Sequence, residues 1–87
     1  MKSKATQRFW KLYFHLPVKV QQRARKAYQI WKAKPNTPGL NFKRVSEEEP
    51  IYSVRISHDY RVLGLMEGDT MVWFWIGDHN EYNRMLK

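Results

Sequence analysis

Cysteine is absent from this chain, so disulfide bridges and Cys-ligated zinc sites are excluded. The main sign of a small secreted protein goes with them, and the expected location is cytoplasmic. Long apolar runs are also missing. Nothing approaches the roughly 20 residues of a membrane-spanning helix, and "MKSKATQRFWKLYFHLP" lacks the unbroken apolar stretch and small-residue cleavage site of a secretory signal. No membrane partner is expected. The third shortage is of acid: no Asp or Glu precedes Glu47, whereas the first 44 positions hold 12 of the 16 Lys and Arg residues, within a net charge of +8. Such a polycation draws phosphate backbones or an acidic protein partner. The competing reading is a solvated helix face that keeps the protein in solution.

At 87 residues the chain has room for one small domain, residues 1–87, and shows neither internal repeat nor linker. Thr6 to Leu16 reads as a helix with Phe9, Leu12, Tyr13 and Leu16 along one side. Pro17 suits the first turn of a second helix, in which Val20, Ala24, Ala27 and Trp31 form the apolar stripe and Lys19, Arg23 and Lys26 lie among the polar positions. "KPNTPGL" ends it. Then come a short strand at Phe42 to Val45 and longer ones at Ile51 to Ile56, Tyr60 to Met66 and Thr70 to Ile76, with turns at "ISHDY" and "MEGDT". The expected fold is α+β, with two N-terminal helices on one face of an antiparallel sheet of three or four strands. A short C-terminal helix starts in "DHNEYNRM", where Asp78 is placed to cap it.

Strand alternation decides which side chains share a face. A three-residue loop at Ser57, His58 and Asp59 pairs Ile56 with Tyr60 and sets Arg55 opposite Arg61. That choice gathers Tyr52, Val54, Ile56, Tyr60, Val62 and Met66 on one apolar face. A matching loop at Glu67, Gly68 and Asp69 adds Val72, Phe74 and Ile76 to it and leaves Met71, Trp73 and Trp75 exposed beside the arginines. The second face then carries two arginines flanked by Ser53 and Trp75. Like charges opposed across a sheet repel, and a phosphate between them would turn repulsion into paired charge-assisted hydrogen bonds. The alternative is that each arginine is neutralised by Asp59, Asp78 or Glu81.

Taken in order, two helices, "IYSVRIS", "DYRVLGLMEGDTMVWFWIG" and "DHNEYNRML" resemble the RelE/ParE toxin superfamily of bacterial type II toxin–antitoxin systems, on its RelE- and HigB-like side. The resemblance implies a toxin with a cognate acidic antitoxin, acting as a metal- and cofactor-independent endoribonuclease that enters the ribosome, cuts mRNA and stops translation. By similarity, Arg55 and Arg61 match basic positions around the scissile phosphate, His79 the His or Arg after the last strand, and Tyr82 a tyrosine that stacks on a nucleotide. Ser53, Trp75 and the helical Lys19, Arg23 and Lys26 are the further expected RNA contacts. The chain departs from the family in apparently lacking the N-terminal strand, in having Ser53 where some members carry lysine, and in offering no carboxylate base at a strand position, although Glu47, Glu48 and Glu49 stand in a nearby loop.

The chemistry agrees with those roles. Cutting RNA through its own 2′-hydroxyl needs positive charge on the phosphorane oxygens, which arginine supplies, and proton transfer, which arginine cannot perform and histidine can. Gly77 is expected to turn the chain so that His79 and Tyr82 reach the arginines. Two alternatives stay open: a ParE-like gyrase inhibitor on the same fold, a branch that lacks the ribonuclease constellation and against which Arg55, Arg61 and His79 together argue, and a non-catalytic RNA- or protein-binding module, for which charge and aromatics suffice.

Overall fold

Helix formation starts where the sequence supplies a cap. Thr6 is extended and its hydroxyl accepts from the Phe9 N–H at 3.1 Å, opening α1 (Gln7–Phe14). Helix α2 (Val18–Ala33) follows Pro17, which stands at its N-cap, one residue before the first turn. Tyr13 fastens the two helices together: its hydroxyl donates to the Gln21 carbonyl and accepts from Arg25. The computed structural model describes residues 2–86. Its strands are β1 (Lys2–Ala5), β2 (Lys43–Arg44), β3 (Ile51–Ser57), β4 (Tyr60–Glu67) and β5 (Thr70–Asp78), and α3 (His79–Met85) ends the chain order.

The architecture is α+β, with the expected C-terminal helix. The sheet has five strands in the order β1-β5-β4-β3-β2; β1 runs parallel to β5 and the other neighbours are antiparallel. The N-terminal strand is therefore present, and the expectation of its absence is corrected. "KSKA" has none of the β-branched or aromatic residues that mark a strand. It becomes one by pairing Lys2 to Ala5 with Thr70 to Trp73 along the edge of β5.

Between the helices and the sheet lies the larger core, in which Phe9, Tyr13, Ala24, Ala27, Trp31, Val54, Val62, Met71, Trp73 and Ile76 are buried. Trp31 and Trp73 meet edge to face, their ring centroids 4.9 Å apart. A smaller cluster of Leu63, Trp75 and Tyr82 occupies the other face, under α3.

Two bulges set this division. Arg55 pairs with Arg61 and Ser57 with Tyr60, so Ile56 is the extra residue and the turn between β3 and β4 has two residues, His58 and Asp59. The expected Ile56–Tyr60 pair does not form. The bulge nevertheless preserves the Arg55–Arg61 pair that a three-residue loop was meant to provide. In β5 the pairs Leu63–Trp75 and Gly64–Trp73 leave Phe74 as the extra residue. Strict alternation would put Trp73 and Trp75 on one face; the bulge sends Trp73 to the helix core and Trp75 to the smaller cluster. Both are buried, at 7% and 3% exposure, which corrects the expectation that they are free. Met71 likewise joins the helix-side core, while Val72, expected there, pairs with Leu65 on the other face.

Candidate functional site

Arg55 on β3 and Arg61 on β4 are direct register partners, so they share a face and stand one interstrand step apart. Arg55 is exposed and Arg61 half-buried. Burial, and then the charge of Arg55, lower the pKa of Arg61 from its ordinary value, against the opposing pull of Tyr82 and Asp59. The Arg61 guanidinium is anchored through Nη1, which donates to the carbonyls of Ser57 at 2.7 Å, Tyr60 at 3.0 Å and His58 at 3.3 Å. Among the described residues neither arginine forms an ion pair: the carboxylate of Asp59 is 3.2 Å from the His58 ring, and Asp78 accepts from the Glu81 N–H at 2.9 Å as the cap of α3. The adjacent positive charges remain without a carboxylate bridge.

Helix α3 brings His79 and Tyr82 to this end of the sheet. The backbone N–H of His79 donates to the Asp59 carbonyl at 2.7 Å, tying the first residue of α3 to the β3–β4 turn. The imidazole of His79 lies over the ring of Tyr82, with centroids 5.9 Å apart and planes 20° from parallel. His79 Nδ1 is buried and makes no hydrogen bond. One turn further on, Tyr82 is 7% exposed and its hydroxyl meets the hydroxyl of Ser53 at 3.3 Å. Ser53, at 2% exposure, is the floor beneath Tyr82, and Trp75 packs beside it in the same cluster.

Gly77 acts differently from the expected turn. Strand β5 runs through it to Asp78, and it pairs with Arg61. A Cβ there would come within 2.6 Å of the Trp75 ring and 3.2 Å of a Glu81 carboxylate oxygen. The missing side chain leaves room for the indole and for the Glu81 carboxylate beside β5.

The structure thus gathers Arg55, Arg61, His79, Tyr82, Ser53 and Trp75 around one end of β3, β4 and β5, with the last three buried. Lys19, Arg23 and Lys26 do not join them. They are exposed on α2, whose inward residues Ala24, Ala27 and Trp31 pack against the helix-covered face of the sheet. Glu47, Glu48 and Glu49 lie before β3, at the Ile51–Leu65 end of the ladder rather than at the Arg55–Arg61 end. One contributor escaped the sequence reading: the Asp59 backbone carbonyl that accepts from the His79 N–H, since no side-chain pattern announces a backbone carbonyl. Chemically, the group offers two cations for an anion, an imidazole for proton transfer, and a packed tyrosine beneath it.

No functionally curated protein matches this sequence. Among solved structures, the YoeB/ParE toxin from Agrobacterium tumefaciens is 15% identical with a TM-score of 0.71, covering 91% of this chain and 99% of its own. RelE in the RelB–RelE antitoxin–toxin complex from Methanococcus jannaschii is 16% identical with a TM-score of 0.71, over 95% and 98%. YafQ from E. coli is 10% identical with a TM-score of 0.68, over 93% and 96%. At these identities the likeness is one of fold. The sequence itself matches the ParE-like toxin domain over residues 18–84, and the chain belongs to that family, within the RelE/ParE toxin superfamily.

Proposed function

We propose that this toxin cuts mRNA on the translating ribosome, with Arg55 and Arg61 holding the scissile phosphate and His79 carrying a proton. The observation behind this reading is the directly paired arginines, which share a face and lack a carboxylate bridge among the described residues. The 2′-hydroxyl attacks the adjacent phosphorus, the bond to the 5′-oxygen breaks, and a cyclic phosphate and a 5′-hydroxyl result. The arginines stabilise charge on the non-bridging oxygens. With Nδ1 in the interior, Nε2 is the His79 nitrogen open to RNA, and Tyr82 supports the imidazole from below. Ser53 and Trp75 hold this support in place, while Lys19, Arg23 and Lys26 add attraction for ribosomal RNA from the other layer.

Primer extension on a translated message tests the assignment, with ribosome binding measured in parallel. Arg55→Ala should slow cleavage about 100- to 1000-fold, by comparison with loss of an oxyanion-type donor. His79→Gln should slow it about 100- to 10,000-fold through lost proton transfer. Full activity in His79→Gln would remove the proton role, and ribosome binding without any cleavage by the wild type would leave a binding module. The ParE-like match favours one other reading, inhibition of DNA gyrase; a supercoiling assay inhibited at low toxin concentration, with messages left intact, would establish it.

The partner in this reading is an acidic antitoxin. A cavity of about 440 Å³ between α1, α2 and the sheet is lined by Phe9, Trp10, Ala24, Tyr28 and Trp31 among others, with Lys4 and Arg25 beside them. An amphipathic segment with acidic flanks fits both its apolar walls and the acid-free sequence around it. The RelB–RelE likeness supports such a partner.

A further inference from the structure

Arg55 and Arg61 are alike in type and opposed in register, yet their surroundings separate them. Arg55 is exposed, and no hydrogen bond engages its guanidinium among the described residues. Arg61 is half-buried and directs Nη1 at three carbonyls of the β3–β4 turn, those of Ser57, His58 and Tyr60. The carbonyl inside that turn left uncontacted by Arg61 is that of Asp59, and it accepts the N–H of His79 at 2.7 Å. The turn is therefore held from the sheet side by one guanidinium and in turn holds the first residue of α3. In this two-residue turn beside a bulge, one cation gathers three carbonyls and the fourth receives the start of α3.

We propose that Arg61 is a positioning residue for His79: its guanidinium clamps the Ser57–Tyr60 turn, and the Asp59 carbonyl passes that constraint to the start of α3. Arg55 alone is then free to meet a phosphate with its whole fork, and Arg61 offers only Nε and Nη2. The inference deepens the ribonuclease reading and rests on it for the importance of His79, but the coupling between Arg61 and His79 exists in the free protein and can be measured without RNA. Lysine in place of Arg61 keeps the charge and loses the planar fork, so it separates clamping from electrostatics.

The test is NMR of the free protein. In Arg61→Lys the backbone amide and imidazole resonances of His79 should shift, and its amide should exchange with solvent about 10- to 100-fold faster, as expected from losing hydrogen bonds to a charged donor. The Leu65 amide, at the far end of β4, should exchange as in wild type, which excludes general unfolding. Arg55→Lys should leave the His79 signals in place. Arg61→Gln, which removes the charge and is too short to reach the three carbonyls, is the second variant should lysine fail to fold, and its His79 amide should likewise exchange faster than in wild type. Unchanged His79 exchange in the folded Arg61 variants would overturn the proposal, as would an equal response to Arg55→Lys. On ribosomes, Arg61→Lys should lower the cleavage rate. Absence of cleavage by the wild type would defeat the ribonuclease reading while leaving the NMR coupling standing.

Discussion

The two faces of the sheet bury tryptophans by different means and to different ends. On the helix side, Trp73 crosses the sheet beside Gly64 and meets Trp31, inside a core lined by two helices. A Cβ at Gly64 would come within 2.6 Å of that indole, so the close approach is part of the packing. On the other side, Trp75 lies over Gly77 beneath α3, in a smaller cluster with buried Leu63 and Tyr82. The first arrangement is a foundation. The second is a thin apolar pad that includes Tyr82, on whose ring His79 stacks. Each face also accepts an unfavourable feature: buried indole N–H groups of Trp31 and Trp73 without a hydrogen-bond partner on the helix side, and neighbouring positive charges on the other.

The contrast can be broken most forcefully at Trp31. It is 1% exposed, and Trp31→Ala should destabilise the protein by about 3–5 kcal/mol, much of what a small domain possesses. Urea denaturation measures this, and a loss below about 1 kcal/mol would deny the helix side its role as foundation. A smaller loss is expected on the other face. Gly77→Ala inserts a methyl into the Trp75 ring position, and overpacking of this kind costs about 1–3 kcal/mol. Because Gly77 pairs with Arg61 and supports the pad, cleavage should fall by more than the folded fraction does, and equal losses would mean that the pad places nothing. The smallest effect has the opposite sign. Arg55→Ala removes the repulsion with Arg61 and should stabilise the free protein by about 0.2–1 kcal/mol even as it impairs cleavage. Destabilisation in the same urea assay would show that Arg55 makes favourable contacts that outweigh the repulsion.

Much of this was legible along the chain. The stripe Phe9, Tyr13 and Ala24, Ala27, Trp31 read as buried helix faces and is buried. The three long strands stand within a few residues of their expected ends, and Arg55 faces Arg61 as strand alternation requires. What escaped was the route to that pair. A loop of three residues and a two-residue turn with a bulge place the arginines identically, and hydrophobic alternation does not distinguish them. The Phe74 bulge was invisible for a related reason: in "VWFW" every position is apolar, so no alternation exists from which a break could be read. Strand β1 was missed because its stability comes from the partner edge of β5 and not from its own residues. No helix among the described residues is long and apolar enough to cross a membrane.

By itself the sequence determined the helices, the long strands, the uneven charge and the chemical types at the sheet's end, because periodicity, propensity and charge are properties of neighbouring residues. The tertiary structure decided which tryptophan supports which face, which arginine is free and which is tied to backbone, and where the imidazole points. Those outcomes depend on bulges, backbone carbonyls and side-chain volumes that meet only when residues far apart in the chain are packed together.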